Sequence, residues 1–166
     1  MRTVRGTAFI RATLSAVLLL LPAVASHAIA QQELHRQAID TAYRNWVDAT
    51  NAMDIDRWAS FLAPDPLFLP PDQPALRGEP AVREFYERLF ADHNFSLNCR
   101  QEQIELAESE DMAWSTGSCE ATFTGPDDTA ARSSSKWAKV WTRLPNGEWK
   151  CAVNSWSMNG PLEGGH

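Results

Sequence analysis

The sequence predicts an α+β domain in which helices come first and an antiparallel meander follows. Two observations carry that expectation: apolar residues step by three or four as far as residue 90, and after His93 they alternate with polar ones. A third is punctuation. Glycine, proline, asparagine and aspartate gather at the points where one pattern gives way to the next.

The first periodic stretch runs Leu34, Ala38, Ala42, Trp46, Ala49 and Met53, with Ile39, Tyr43 and Val47 alongside, which is the stripe of an amphipathic helix. Asp54 is placed to cap a second, short helix through Trp58, Phe61 and Leu62, which Pro64 and Pro66 are expected to stop. Leu67 to Leu69 reads as a short strand before the turn-rich Pro70-Pro71-Asp72-Gln73-Pro74. Gly78 and then Pro80 open a third helix with the stripe Val82, Phe85, Tyr86, Leu89 and Phe90. From Phe95 onward four strands are predicted, joined by turns at 108–111, 125–128 and 145–147.

Ahead of these elements lies a leader. Arg2, Arg5 and Arg11 precede an uncharged stretch from Ala12 to Ala25, and Ala28-Ile29-Ala30 follows; charged, apolar and small residues in that order predict a secretory signal over 1–30. The apolar stretch is shorter than the roughly 18 residues a membrane span needs. The organisation expected is therefore signal 1–30, one domain over 31–158 and a flexible tail over 159–166, in a periplasmic or secreted protein with no membrane contact after cleavage. Losing three arginines leaves 12 basic against 21 acidic side chains, a net charge near −9 instead of −6. Such a surface disfavours nucleic acid and anionic lipid as partners.

Export would place Cys99, Cys119 and Cys151 in an oxidising compartment, but their number is odd. Three buried thiols are expected in preference to one bridge plus one thiol. His35, His93 and His166 have no metal-ligand spacing, and neither a phosphate-cradling glycine loop nor a G-x-S-x-G elbow is present. No metal and no cofactor is implied.

Several segments in order carry a resemblance: Phe68-Leu69-Pro70-Pro71 through Leu76-Arg77-Gly78, Asp111-Met112-Ala113, Lys136 to Trp141, and Asn146-Gly147-Glu148-Trp149-Lys150. Together they resemble the nuclear transport factor 2-like superfamily, in its branch of ketosteroid isomerase-related and SnoaL-like domains. The resemblance implies a cystatin-like, cone-shaped antiparallel sheet wrapped around the N-terminal helices, with a pocket inside and often a dimer outside. It maps the isomerase's helix tyrosine onto Trp46, its base onto Pro70 and its protonated acid onto Lys139. None of the three roles keeps its residue type, so that mechanism is not expected here. The fold hosts isomerases, cyclases, binders and assembly modules, so the site has to be argued from its side chains.

Pairing Ala107 with Met112 across the first meander turn sets Cys99 opposite Glu120 and sorts the strands into faces. Matched to the isomerase-like pattern, the concave face takes Phe95, Leu97, Cys99 and Gln101, then Trp114, Thr116, Ser118 and Glu120, then Trp137, Lys139 and Trp141, and finally Ala152, Asn154 and Trp156. With Trp46, Phe68 and Tyr86, the candidate ligand-binding set is Phe95, Gln101, Trp114, Thr116, Glu120, Trp137, Lys139, Trp141, Asn154 and Trp156. Cys119 and Cys151 fall on the other face, two strand spacings apart and beyond disulfide reach.

An aromatic interior with a few polar groups is the make-up of a small-molecule site, although the same aromatic spacing also builds ordinary cores. Inward charges tip the reading toward a site, because charge seldom enters a packed core unpaired. Glu120 and Lys139 are the candidate catalytic pair, Glu120 as general base and Lys139 as oxyanion partner; a structural ion pair is the alternative. The function expected is binding of a small apolar or aromatic molecule, with an isomerase- or cyclase-like enzyme and a dimeric assembly module as alternatives. The face away from the pocket is assigned Ala113, Ser115, Gly117, Cys119, Ala121, Phe123, Ala138, Val140, Thr142, Cys151 and Val153. So small and uncharged a face predicts a homodimer.

Overall fold

The computed structural model describes residues 14–125 and 128–161, with side chains from His27 onward. The chain divides into two units, Met1–Leu34 and His35–His166. In the first, residues 14–34 are helical and begin α1, Leu14–Asn51. The rest of the predicted leader, with Arg2, Arg5 and Arg11, lies outside the described residues. No helix among the described residues is long and apolar enough to cross a membrane.

In the second unit, α1 turns Ile39, Tyr43, Trp46 and Ala49 inward, all but fully buried. Its end is fastened by Asn51, whose Oδ1 accepts from Leu97 N and whose Nδ2 donates to Leu97 O, both at 2.8 Å. Asp54 caps α2, Ile55–Ala59, by accepting from Arg57 N at 3.0 Å. Next come β1 (Leu62–Leu69), β2 (Leu76–Arg77) and α3 (Gly78–Phe90). Pro64 and Pro66 do not follow a helix directly but lie within β1, where its pairing with β6 slips between Leu62 and Leu67; proline brings no N–H to a ladder and is tolerated at such a slip. The meander is β3 (Ser96–Leu106), β4 (Met112–Thr124), β5 (Ala130–Arg143) and β6 (Trp149–Met158), in line with the period-two reading. Gly147, at φ 90°, takes the left-handed position that its last turn requires.

The six strands form one open sheet in the order β2-β1-β6-β5-β4-β3. It is mixed and not wholly antiparallel, because β1 runs parallel to β6. The α+β class and the helices-then-strands order hold. Asn159, expected to open the tail, is tied to β5 by its N–H donating to Ser134 O at 2.9 Å; residues 162–166 lie outside the described residues.

Two bulges correct the expected faces. The first meander turn pairs as predicted, with Leu106 opposite Ala113 and Ala107 N donating to Met112 O. At Glu102, however, β3 carries one residue more than β4, so Gln101 pairs with Gly117 and Cys99 with Cys119 instead of Glu120. The two cysteines, with Cα atoms 4.1 Å apart, form a disulfide, which replaces the expected three thiols by one bridge and one free thiol, buried Cys151. On β4 the inward row is Ala113, Ser115, Gly117, Cys119 and Ala121, and the outward row is Trp114, Thr116, Ser118 and Glu120, the reverse of the expectation. A second bulge lies at Ala152: Val140 pairs with Val153 but Trp141 with Cys151, so Cys151 also turns inward. Of the face assigned to a dimer, Ala138, Val140, Thr142 and Val153 keep their place. The β4 residues and Cys151 belong to the interior.

Candidate functional site

Between α1, α3 and the inner face of the sheet lies a cavity of about 320 Å³. The helical repeat of α1 sets Tyr43, Trp46, Val47 and Thr50 along one wall, and α3 adds Phe85, Tyr86 and Leu89. β5 contributes Ser133, Ser135, Trp137 and Lys139, every second residue; β6 contributes Asn154, Trp156 and Met158. Leu97 and the Cys99–Cys119 disulfide form the wall on the β3–β4 side, and Pro70 and Pro71 follow β1 at another edge. Aromatic contacts stiffen the enclosure. Trp58 and Tyr86 have ring centroids 3.9 Å apart, and Tyr43 and Trp137 4.9 Å.

Lys139 is the one charged side chain among the described residues that line the cavity. It is 7 % exposed. Its cross-strand neighbour is Asn154, and Nζ donates to Asn154 Oδ1 at 2.6 Å. The same nitrogen lies 4.3 Å from the Trp137 ring centroid, 4.9 Å from that of Trp46 and 5.8 Å from that of Tyr43. Burial lowers its pKa from 10.5 to about 8, because the charged form has lost its water. Burial acts oppositely on its neighbours, pushing the Tyr43 and Tyr86 phenols up and the Cys151 thiol up to about 12, so all three stay neutral near neutral pH.

Of the predicted ligand-binding residues, the structure brings Trp46, Tyr86, Phe95, Trp137, Lys139, Asn154 and Trp156 together around this space. Phe68 and Trp141 are instead core: both are fully buried, and Trp141 Nε1 donates to Ser115 Oγ at 2.8 Å. Gln101 turns inward opposite Gly117, beside the wall and not on it. Trp114, Thr116 and Glu120 lie on the outer face for the reason given by the Glu102 bulge. Glu120 is exposed between Asn98 and Ser134, so it neither pairs with Lys139 nor serves the cavity as a base. Tyr43, Thr50 and Phe85 were not among the predicted site residues. Tyr43 and Phe85 lay on the helical stripes, which do not separate core from cavity wall, and Thr50, a polar residue one turn after Trp46, gave no signal of its own.

Trp46, Pro70 and Lys139, onto which the resemblance maps the isomerase's tyrosine, base and acid, converge on the cavity. The three share one cavity, but none keeps the residue type that the isomerase's roles require. Among the described lining residues none is Asp, Glu or His.

Known structures share this architecture. A ketosteroid isomerase-like protein from Erwinia carotovora atroseptica superposes with a TM-score of 0.68 at 21% identity, over 75% of this chain and 96% of its own. A nuclear transport factor 2-like superfamily protein from Salmonella enterica serovar Typhimurium gives 0.66 at 16% identity, over 78% and 94%. A hexachlorocyclohexane dehydrochlorinase, LinA-type3, from Novosphingobium barchaimii gives 0.66 at 17% identity, over 81% and 94%. At these identities the likeness is one of fold. No curated protein sequence matches the chain. Residues 43–151, from the first cavity residue of α1 to the third residue of β6, match the SnoaL-like domain, and the chain belongs to that family within the nuclear transport factor 2-like fold.

Proposed function

We propose that this chain is an exported pocket protein that binds a small apolar or aromatic molecule. The observation that carries the reading is the aromatic-walled cavity of about 320 Å³, which the protein's own side chains leave unfilled and which matches the size of small-molecule sites. A neutral fluorescent probe, N-phenyl-1-naphthylamine, should bind one to one and be displaced by metabolite extracts, and Ala121→Trp, which fills the space, should abolish binding. If neither the probe nor a compound library binds, the pocket is closed and the chain is an assembly module.

A second reading is enzymatic. The lowered pKa of Lys139 suits an acid or base inside the cavity, and solved structures of like fold include an isomerase-like protein and a dehydrochlorinase. Absence of turnover across a compound library would dismiss it, and turnover that survives Lys139→Met would dismiss Lys139 as its acid or base.

Export leaves a mature chain beginning at Gln31 or Ile29, which N-terminal sequencing of the secreted protein reads directly. A homodimer would use the outer face, where Val140 and Val153 are joined by Met112 and Trp114, exposed by 52% and 44%. Sedimentation at micromolar concentration should show a dimer that Val140→Glu disperses.

A further inference from the structure

We propose that the molecule this pocket takes is an anion: a small aromatic compound with a single carboxylate or phenolate that pairs with Lys139. The inference rests on the pocket reading and narrows its ligand class.

A buried ammonium is costly unless an opposite charge compensates it, and in proteins that partner is ordinarily a carboxylate. The lysines on the outside of this sheet follow ordinary practice. Lys150 meets Glu148 at 3.3 Å, and Lys136 donates to Asn159 Oδ1 at 3.2 Å with solvent to hand. Lys139 has neither resource. Among the described residues it forms no ion pair, and the lining contains no acid. Asn154 and the rings of Trp137 and Trp46 orient the ammonium and favour its charged form, but they add no negative charge. The cavity therefore carries one uncompensated positive charge.

The hydrogen-bond inventory leans the same way. Trp46 Nε1 and the Tyr43 hydroxyl proton, on rings beside Lys139 Nζ, are buried without an acceptor among the described residues; the Trp137 indole N–H, on the third ring, lies within reach of Tyr43 Oη, which leaves the phenol's own proton to give. Each can donate, and the indoles can only donate. A surplus of donors around a lone cation is the complement of an acceptor-rich anion. The charge is single and no arginine lines the wall, which selects a monoanion over a phosphate or a diacid. Away from Lys139 the wall is Phe85, Leu89, Phe95, Trp156 and Met158, so the rest of the ligand is apolar.

The test uses three ligands of one shape, 1-naphthoate, 1-naphthamide and naphthalene, titrated into the protein at pH 7 by calorimetry. Naphthoate should bind about tenfold or more tightly than the amide, the usual worth of a charged hydrogen bond. Lys139→Met should erase the preference while still binding naphthalene, which also shows that the variant is folded; Lys136→Met should keep it. Raising the pH from 7 to 10 should erode it in the parent as Lys139 gives up its proton. The other titratable groups facing Lys139, Tyr43 on α1, Tyr86 on α3 and Cys151 on β6, are held protonated by burial. An amide or naphthalene that binds as well as naphthoate overturns the inference and leaves the pocket standing, as does a preference that persists in Lys139→Met. Failure of all three to bind while the neutral probe still binds overturns the inference alone; failure of the probe and the compound library as well overturns the pocket with it.

Discussion

β4 and β5 pair without a break from Met112–Thr142 to Thr124–Ala130, yet they present opposite chemistry to the interior. β5 sends in Trp137, Lys139 and Trp141; β4 sends in Ala113, Ser115, Gly117 and Cys119. The two rows fit each other: Trp137 lies over Gly117, and Trp141 reaches Ser115 with its indole N–H. β4 is small inside where β5 is large, and its own indole, Trp114, stands outside; opposite the small Ala131 of β5, β4 in turn sends in Phe123. Alternation therefore says which residues of a strand share a face. Which face is buried is settled by the volume that the neighbouring strand and the helices leave.

The largest effect expected from this contrast is at Gly117. A Cβ there would collide with the Arg100 carbonyl oxygen and the Trp137 indole, one of them backbone, so Gly117→Val should cost about 3 kcal/mol or more, or prevent folding. Urea denaturation measures it; a variant as stable as the parent would mean that β4 does not pack beneath Trp137.

Next is the bridge that the Glu102 bulge makes possible. Cys99 and Cys119 are separated by 20 residues, a loop whose closure is worth about 3 kcal/mol. A Cys99→Ser, Cys119→Ser double variant should lose about that much. Reductant should destabilise the parent similarly and leave the variant unchanged. A parent insensitive to reductant would restore the three-thiol expectation.

Lys139→Met should follow, and its effect depends on pH. The folded-state pKa, about 8, lies below the unfolded value, so between these the unfolded chain holds the extra proton and the parent's stability from this group rises with pH. Below pH 8 the parent bears the cost of a buried charge, on the order of 3 kcal/mol, which the variant escapes at the expense of Asn154's partner. Thermal denaturation from pH 6 to 10 should show the variant ahead at the acid end and its lead closing toward the alkaline end. Cys151 acts in the opposite sense, since its raised pKa makes folding less favourable once the unfolded thiol ionises; it is present in both proteins, so the difference between them isolates Lys139. A gap independent of pH would mean that Lys139 is hydrated.

The smallest effect is at Trp114. Being 44% exposed on the outer face, it should tolerate Trp114→Ser with a stability change within about 0.5 kcal/mol. Any larger consequence should appear in sedimentation, as weakened self-association.

Much of the site was legible where pattern and packing agree. The helical stripe located Trp46, and strand parity located Trp137, Lys139, Asn154 and Trp156, because the stretches that hold them are regular. The errors share one origin. A single extra residue at Glu102 or Ala152 reverses the faces on either side of it, and period-two reasoning carries a parity straight through. Both bulges bring inward residues that are out of phase onto one face: Leu97 and Cys99 with Ile104 and Leu106 on β3, and Cys151 with Asn154 and Trp156 on β6.

The sequence alone determined the three helices, the four meander strands, their order and the family, since these follow from local periodicity, turn chemistry and motif order along the chain; it did not show β2, or that β1 begins at Leu62. Tertiary structure decided which face of β4 is buried, that Cys99 meets Cys119, that Glu120 faces solvent, and that Lys139 stands in the cavity without an acid. Each of these depends on registers and volumes set jointly by strands distant in sequence, and no local stretch of residues encodes a pairing with a partner it does not contain.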